Sequence, residues 1–182
     1  MKNKYTKEDA YKNLEFINSW INNSDTKASI VLGLIGIILT IIFSNSSLIN
    51  KCVQLMNEFT KKIQFSDILY IAFLLSAITL FLLGLYKLIK VLIPTLKIKH
   101  KAQTKSFLYF GDIATYSGSF EFKEELKKAK ENEIFDDILN QLYINSTICN
   151  NKFNNFTVGL KCSLIGLILF FILFFLGISI YL

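Results

Sequence analysis

The chain holds few side chains suited to covalent or metal chemistry, and their spacing removes most of those. Cys52, Cys149 and Cys162 stand at no metal-ligand or redox spacing, and His100 is the only histidine. A zinc site or a Cys–His nucleophile pair therefore lacks material. Gly-rich phosphate loops and convincing triads are absent as well. What remains is Asp25 and Lys27 ahead of an apolar run, and a stretch with Tyr109, Phe110, Gly111, Asp112, Tyr116 and Gly118 in no clear period. Asp25 and Lys27 can cap a span and snorkel to headgroups, and Asp112 can make a turn. The aromatic stretch is either a packing plug over helices or a ligand site. Neither set has the nucleophile, acid–base pair or metal of an enzyme, so a non-enzymatic protein without cofactor or metal is expected.

The elements that must position these residues follow from composition. Of 182 residues, 52% are hydrophobic and 19% charged, and there is one proline. The apolar excess is concentrated in three blocks with the charge between them, which excludes an ordinary soluble enzyme and a disordered chain. The blocks are 28–50, 68–86 and 162–182, each free of formal charge. Each approaches the roughly 20 residues a helix needs to cross about 30 Å of hydrocarbon. Helices are expected because lipid satisfies no open backbone groups. The first block starts too far into the chain for a cleaved leader. The organisation is thus a cytosolic amphipathic helix (1–27), a first span continuing into an outer loop (28–50), the rest of that loop (51–67), a second span (68–86), a cytosolic segment with a loop and a long helix (87–161), and a third span (162–182).

Charge sets the expected orientation. The formal net charge is +6 and there is no arginine. Lys87, Lys90, Lys97, Lys99, Lys101 and Lys105 crowd the exit of the second span. The positive-inside rule therefore places the N-terminus and 87–161 in the cytoplasm, with the 44–67 loop outside. Lysines at a membrane exit meet anionic lipid headgroups. The lack of arginine argues against bidentate recognition of nucleic acid and leaves a phosphate held by lysine as the ionic recognition open to the chain.

Periodicity fills in the cytosolic part. Thr6 is an N-cap ahead of Glu8 and Asp9, and Ala10, Leu14, Ile17 and Ile21 share one helical face that extends to Ala28. This helix is predicted to run into the first span. Pro94 should end or kink the extension of the second. Phe135, Leu139, Leu142, Ser146, Cys149, Phe153, Phe156 and Leu160 alternate four and three apart, a 3.5-residue seam that leads into the third span. One long helix from near Lys123 to the terminus is expected. Its seam requires partners: the N-terminal helix, other subunits in a homo-oligomer, or both. Small residues Ser29, Gly33, Gly36 and Thr40 form a stripe in the first span, as where membrane helices approach closely. No span has a central ionisable residue, so a dedicated transporter is not expected. The fold class is an all-α membrane protein: three transmembrane helices and a cytosolic bundle of the N-terminal helix and the long helix entering the last span.

Three stretches, in order along nearly the whole chain, resemble the Pycsar transmembrane effector family. They are Asp25-Thr26-Lys27-Ala28-Ser29 opening the first span, Leu108-Tyr109-Phe110-Gly111-Asp112-Ile113-Ala114 after Pro94, and Asp137-Ile138-Leu139 through Gln141, Asn145 and Lys152-Phe153. The lack of arginine departs from the family pattern. The resemblance implies a bacterial antiphage effector in the inner membrane. A partner pyrimidine cyclase would make cyclic CMP or cyclic UMP on infection, and the effector would sense it and impair the membrane, with growth arrest or cell death. It implies a pocket in which Tyr109 or Phe110 stacks on the pyrimidine, Lys27 or Lys152 meets the cyclic phosphate, and Asn145 or Asp112 meets the base or ribose edge. Two other readings stay open: a membrane effector answering a different nucleotide, as in cyclic-oligonucleotide systems of the SLATT type, and a non-sensing oligomeric scaffold or adaptor that uses the seam as a partner surface.

Overall fold

The computed structural model describes residues 5–61, 64–94 and 105–181, and among them every regular element is a helix. Lys97, Lys99, His100 and Lys101, invoked above, lie outside the described residues. Helix α1 (Lys7–Ser44) begins at a reciprocal cap. The Asp9 amide donates to Thr6 Oγ1 at 3.2 Å and the Thr6 amide donates to the Asp9 carboxylate at 2.9 Å. The predicted amphipathic helix and first apolar block are one uninterrupted helix, as expected.

The outer connection differs from expectation. The expected loop across 51–67 is largely a second helix, α2 (Ser46–Lys61), while α1 stops at Ser44, where the expected outer loop begins. Asn45 is the cause. Its side-chain oxygen accepts the amides of Ser47 at 3.1 Å and Leu48 at 3.2 Å, which starts a new helix in place of continuing the old one. Helix α3 (Phe65–Leu92) opens with the Gln64 amide donating to Asp67 at 2.9 Å. It ends where Ile93 turns extended (ψ 123°) immediately before Pro94, because the proline ring disfavours helical geometry in the residue preceding it.

The stretch expected to be irregular contains a single turn, α4 (Phe110–Ile113), followed by α5 (Ser119–Lys128) and α6 (Glu131–Tyr181). The helix expected from near Lys123 is therefore two helices. Ala129 is extended (ψ 132°), and the Lys130 amide donates to the Glu133 carboxylate at 2.9 Å, a local cap that restarts the chain as α6. Three helices, α1, α3 and α6, are long and apolar enough to cross a membrane.

The chain forms two compact units, and α1 and α6 contribute to both. The first unit comprises residues 1–23 and 94–152. Its α1 face carries Ala10, fully buried, with Leu14, Ile17 and Ile21 half-buried, and α6 contributes the fully buried Ile138. Removing an Ile of that size from water stabilises by about 1.5–3 kcal/mol. Asn145 on α6 donates to Asn18 Oδ1 on α1 at 2.9 Å. The partner the seam required is thus met here by the N-terminal helix of the same chain. The line of deepest burial on α6 runs one residue off the expected seam. Ile138 and Lys152 are buried at a multiple of seven apart, while all eight seam residues from Phe135 to Leu160 are half-buried.

The second unit comprises 24–93 and 153–182 and packs by close approach of backbones. On α3, Asp67, Tyr70, Leu74, Ala77, Phe81, Gly84, Leu88 and Val91 recur three and four apart and are buried or half-buried. Gly84 lies against the backbone of Ser163, Gly166 against the backbone of Phe81, and Gly159 against Leu88. Lipid is as apolar as leucine, so helices in it gain by contact rather than by leaving water, and glycine at the crossing permits that contact. At the other end of this pair, Tyr181 donates to Asp67 at 2.6 Å and Tyr70 donates to the carbonyl of Leu173 at 2.8 Å.

Candidate functional site

Ser106 organises the only part of the first unit in which several sequence-singled residues meet in one described network. Its amide donates to Asp112 Oδ2 at 2.9 Å, and its hydroxyl donates to Asp137 Oδ2 at 3.0 Å. The same oxygen receives the amides of Leu108 at 3.1 Å and Tyr109 at 2.9 Å and the Gln141 carboxamide at 3.1 Å. Asp137 takes a further bond from the Phe107 amide at 2.8 Å. Ser106 is buried, so these bonds form where water competes poorly. The result fixes the segment 106–113 onto one face of α6 and aims its aromatic residues from a held backbone.

Tyr109 precedes α4 and is half-buried; Phe110 opens α4 and is 66% exposed. Their rings lie 4.9 Å apart at 53°. Gly111 makes this possible, because any side chain there would run into the Tyr109 ring. Tyr116 is used for packing. Its ring meets Phe122 edge-on at 5.4 Å and carries the Lys105 ammonium at 4.7 Å from its centroid. Burial, with Glu125, Glu121 and Asp112 adding negative charge nearby, raises the Tyr116 phenol above its usual range. The Ser117 hydroxyl and amide both donate to Glu121, at 2.6 and 2.7 Å, and hold its carboxyl below the usual carboxylate range.

The structure brings together some of the six residues singled out and separates others. Tyr109, Phe110 and Asp112 share the stapled segment. Asp112 accepts the Ser106 amide, the turn-making role, and keeps its second oxygen outside that bond. Asn145 lies one turn beyond Gln141 on α6 and is engaged with Asn18. Lys152 is buried at 6% exposure, fifteen residues beyond Asp137, or roughly 22 Å along the helix at 1.5 Å per residue. Lys27 is exposed on α1 and belongs to the second unit. Sequence reasoning does not single out Ser106, and it reaches Asp137 and Gln141 only through the family resemblance. The sequence signal for Ser106 is weak: a lone serine four residues before a helix start, with partners 31 and 35 residues away.

Among the described residues no group of three or more His, Cys, Asp or Glu side chains is placed to hold a metal ion. Cys52, Cys149 and Cys162 are free thiols. The arrangement offers a planar aromatic surface, carboxylate and amide acceptors and donors, and a backbone held against a long helix. Those are the means of binding a small polar aromatic molecule.

Comparison with known proteins identifies a family. The model of the Pycsar effector protein domain matches residues 9–179. A Pycsar effector protein from Gulbenkiania mobilis is 35% identical over 178 residues, covering 92% of this chain and 90% of the relative. No solved structure matches.

Proposed function

The chain belongs to the Pycsar effector family of antiphage transmembrane effectors, and from this we propose that it binds a cyclic pyrimidine mononucleotide and responds by impairing the bacterial inner membrane. Cyclic CMP or cyclic UMP, supplied by a partner pyrimidine cyclase, is the activating ligand. The protein acts as a homo-oligomer, without catalysing a reaction, and infected cells arrest or die before phage release. The N-terminus and 87–161 face the cytoplasm, which puts the aromatic segment in the compartment where the nucleotide is made.

The observation that carries this reading is the Ser106–Asp112–Asp137–Gln141 network. It fastens an exposed aromatic ring to α6, a helix that contributes residues to both units. A ligand shifts an equilibrium only by binding one state better than another. A nucleotide stacked on Phe110 and Tyr109 acts on α6 through Asp137 and Gln141, and α6 is where the apolar unit would register it. Asn145 and the second Asp112 oxygen supply contacts to base or ribose edges.

The test is a binding titration on the purified full-length protein. Phe110→Ala and Tyr109→Ala each weaken cyclic CMP or cyclic UMP binding by about fivefold or more, since a base–aromatic stack is worth about 1–3 kcal/mol. Unchanged affinity in both variants overturns the site. Tight binding of a cyclic oligonucleotide in place of either pyrimidine nucleotide overturns the ligand assignment and leaves the effector role standing.

A further inference from the structure

We propose that α2 is an interfacial lipid-binding helix, seated in the headgroup layer of the leaflet where the first two spans meet it. Viewed down its axis at 3.6 residues per turn, α2 divides into three sectors. Leu48, Cys52, Leu55 and Phe59 form the first and pack on the second unit: Leu55 is buried near Gly177, and the Phe59 ring lies 4.9 Å from Tyr181 and 5.5 Å from Tyr70. Ile49, Val53 and Met56 form the second, adjacent sector and are exposed, Met56 at 68%. Ser47, Asn50, Lys51, Gln54, Asn57 and Glu58 occupy the remaining arc. An apolar strip that faces neither the bundle nor a polar neighbour is unfavourable in water.

Connectivity identifies what covers it. Asn45 alone separates α2 from the end of α1, and three residues separate it from the start of α3. Both neighbours are long and apolar enough to span a membrane, so α2 is confined to the depth at which they leave it. The ends of those helices next to α2 also expose apolar side chains, Phe43 at 72% and Phe65 at 79%. A helix with this division of faces lies in the interface plane with its apolar side about 5–10 Å into the headgroup and acyl boundary. Lipid is therefore the occupant, with Lys51 and the polar arc toward water. The consequence for the membrane is local: three apolar side chains wedge one leaflet beside Tyr70, Tyr181 and Asp67, where α2, α3 and α6 meet.

This inference is independent of which nucleotide is sensed. The experiment uses the full chain with Cys52→Ala, Cys149→Ala and Cys162→Ala, reconstituted in phosphatidylethanolamine–phosphatidylglycerol vesicles. A single cysteine is introduced by Met56→Cys, Val53→Cys, Gln54→Cys or Leu82→Cys and carries an environment-sensitive fluorophore. Labels at 53 and 56 should lose several times more emission to lipid bearing a nitroxide high on the acyl chain than to aqueous iodide. The label at 54 should show the reverse, and the label at 82, at the middle of α3, should respond to a deep nitroxide only. Labels at 53 and 56 quenched by iodide as strongly as 54 overturn the proposal. Labels protected from both quenchers also overturn it, because the strip is then covered by a second copy of the chain. Iodide quenching at 82 overturns the span itself and the proposal with it.

Discussion

The Ser106 hydroxyl joins one loop to one helix through Asp137 and Gln141, and replacing it exposes what that is worth. Ser106→Ala leaves the Asp137 carboxylate short of a donor and the Leu108, Tyr109 and Gln141 donors without their shared oxygen. A buried group left unpaired costs about 1–3 kcal/mol. Thermal unfolding of the detergent-solubilised protein should show that loss, together with weakened nucleotide binding. Glu121 gives a pH-dependent counterpart. Its carboxyl, held below the ordinary value of 4.5 by Ser117, stabilises the start of α5 fully above that ordinary value and ceases to do so as pH falls through the lowered one. Amide exchange in the first turn of α5 should therefore accelerate on acidification, and Glu121→Gln should abolish that pH dependence. At this scale the sequence was only partly legible. The Thr6 cap could be read because its partner is three residues away. Ser106 could not, because its decisive partners come from another helix. Asp112 was legible as a turn residue, and that is the role its contact with Ser106 gives it.

The helices themselves were largely readable, and the departures have local causes. Three apolar blocks became three long apolar helices because length and hydropathy leave few alternatives in lipid. The pieces that differ turn on single side chains. Asn45 caps α2 within the expected outer loop, and Glu133 caps α6 where the seam suggested one unbroken helix from near Lys123. The offset between the expected seam and the buried line has a related origin. Apolar periodicity located Leu139 and Phe153, whereas the line of burial runs through Ile138 and the polar Lys152, and a search for apolar repeats passes over a lysine. Glycine positions separate the two kinds of contact these helices make. A side chain at Gly84 would strike the Ser163 backbone, while Gly33 and Gly36 have nothing within 4 Å in this chain. Gly84→Ala should cost about 1–3 kcal/mol, the range for overpacking a filled contact, and lower the unfolding temperature. Gly33→Ala should leave the folding of the single chain unchanged. Should Gly33→Ala nevertheless abolish cross-linking between copies, the outward stripe on α1 is the subunit contact.

At the scale of the whole molecule two helices, α1 and α6, contribute residues to both units. Composition supports the membrane half directly, since a 52% hydrophobic chain with its apolar excess concentrated in three blocks admits little else. The sensing half rests on the chain's membership of the Pycsar effector family and on the stapled aromatic segment, because no composition or period encodes a nucleotide. Orientation has its own test: in a chain with Cys52, Cys149 and Cys162 replaced by alanine, a membrane-impermeant thiol reagent applied to intact cells should label a cysteine placed at Gln54 and spare one placed at Phe120. The central claim, that a cyclic pyrimidine mononucleotide switches this protein into a membrane-impairing state, is tested most directly by dye release from vesicles containing the purified full-length protein. Cyclic CMP and cyclic UMP are added in turn, with cyclic AMP as the control. The account predicts release with one or both pyrimidine nucleotides, none with cyclic AMP, and none from vesicles holding Phe110→Ala. Intact vesicles under every nucleotide, with the protein inserted and folded, would contradict it.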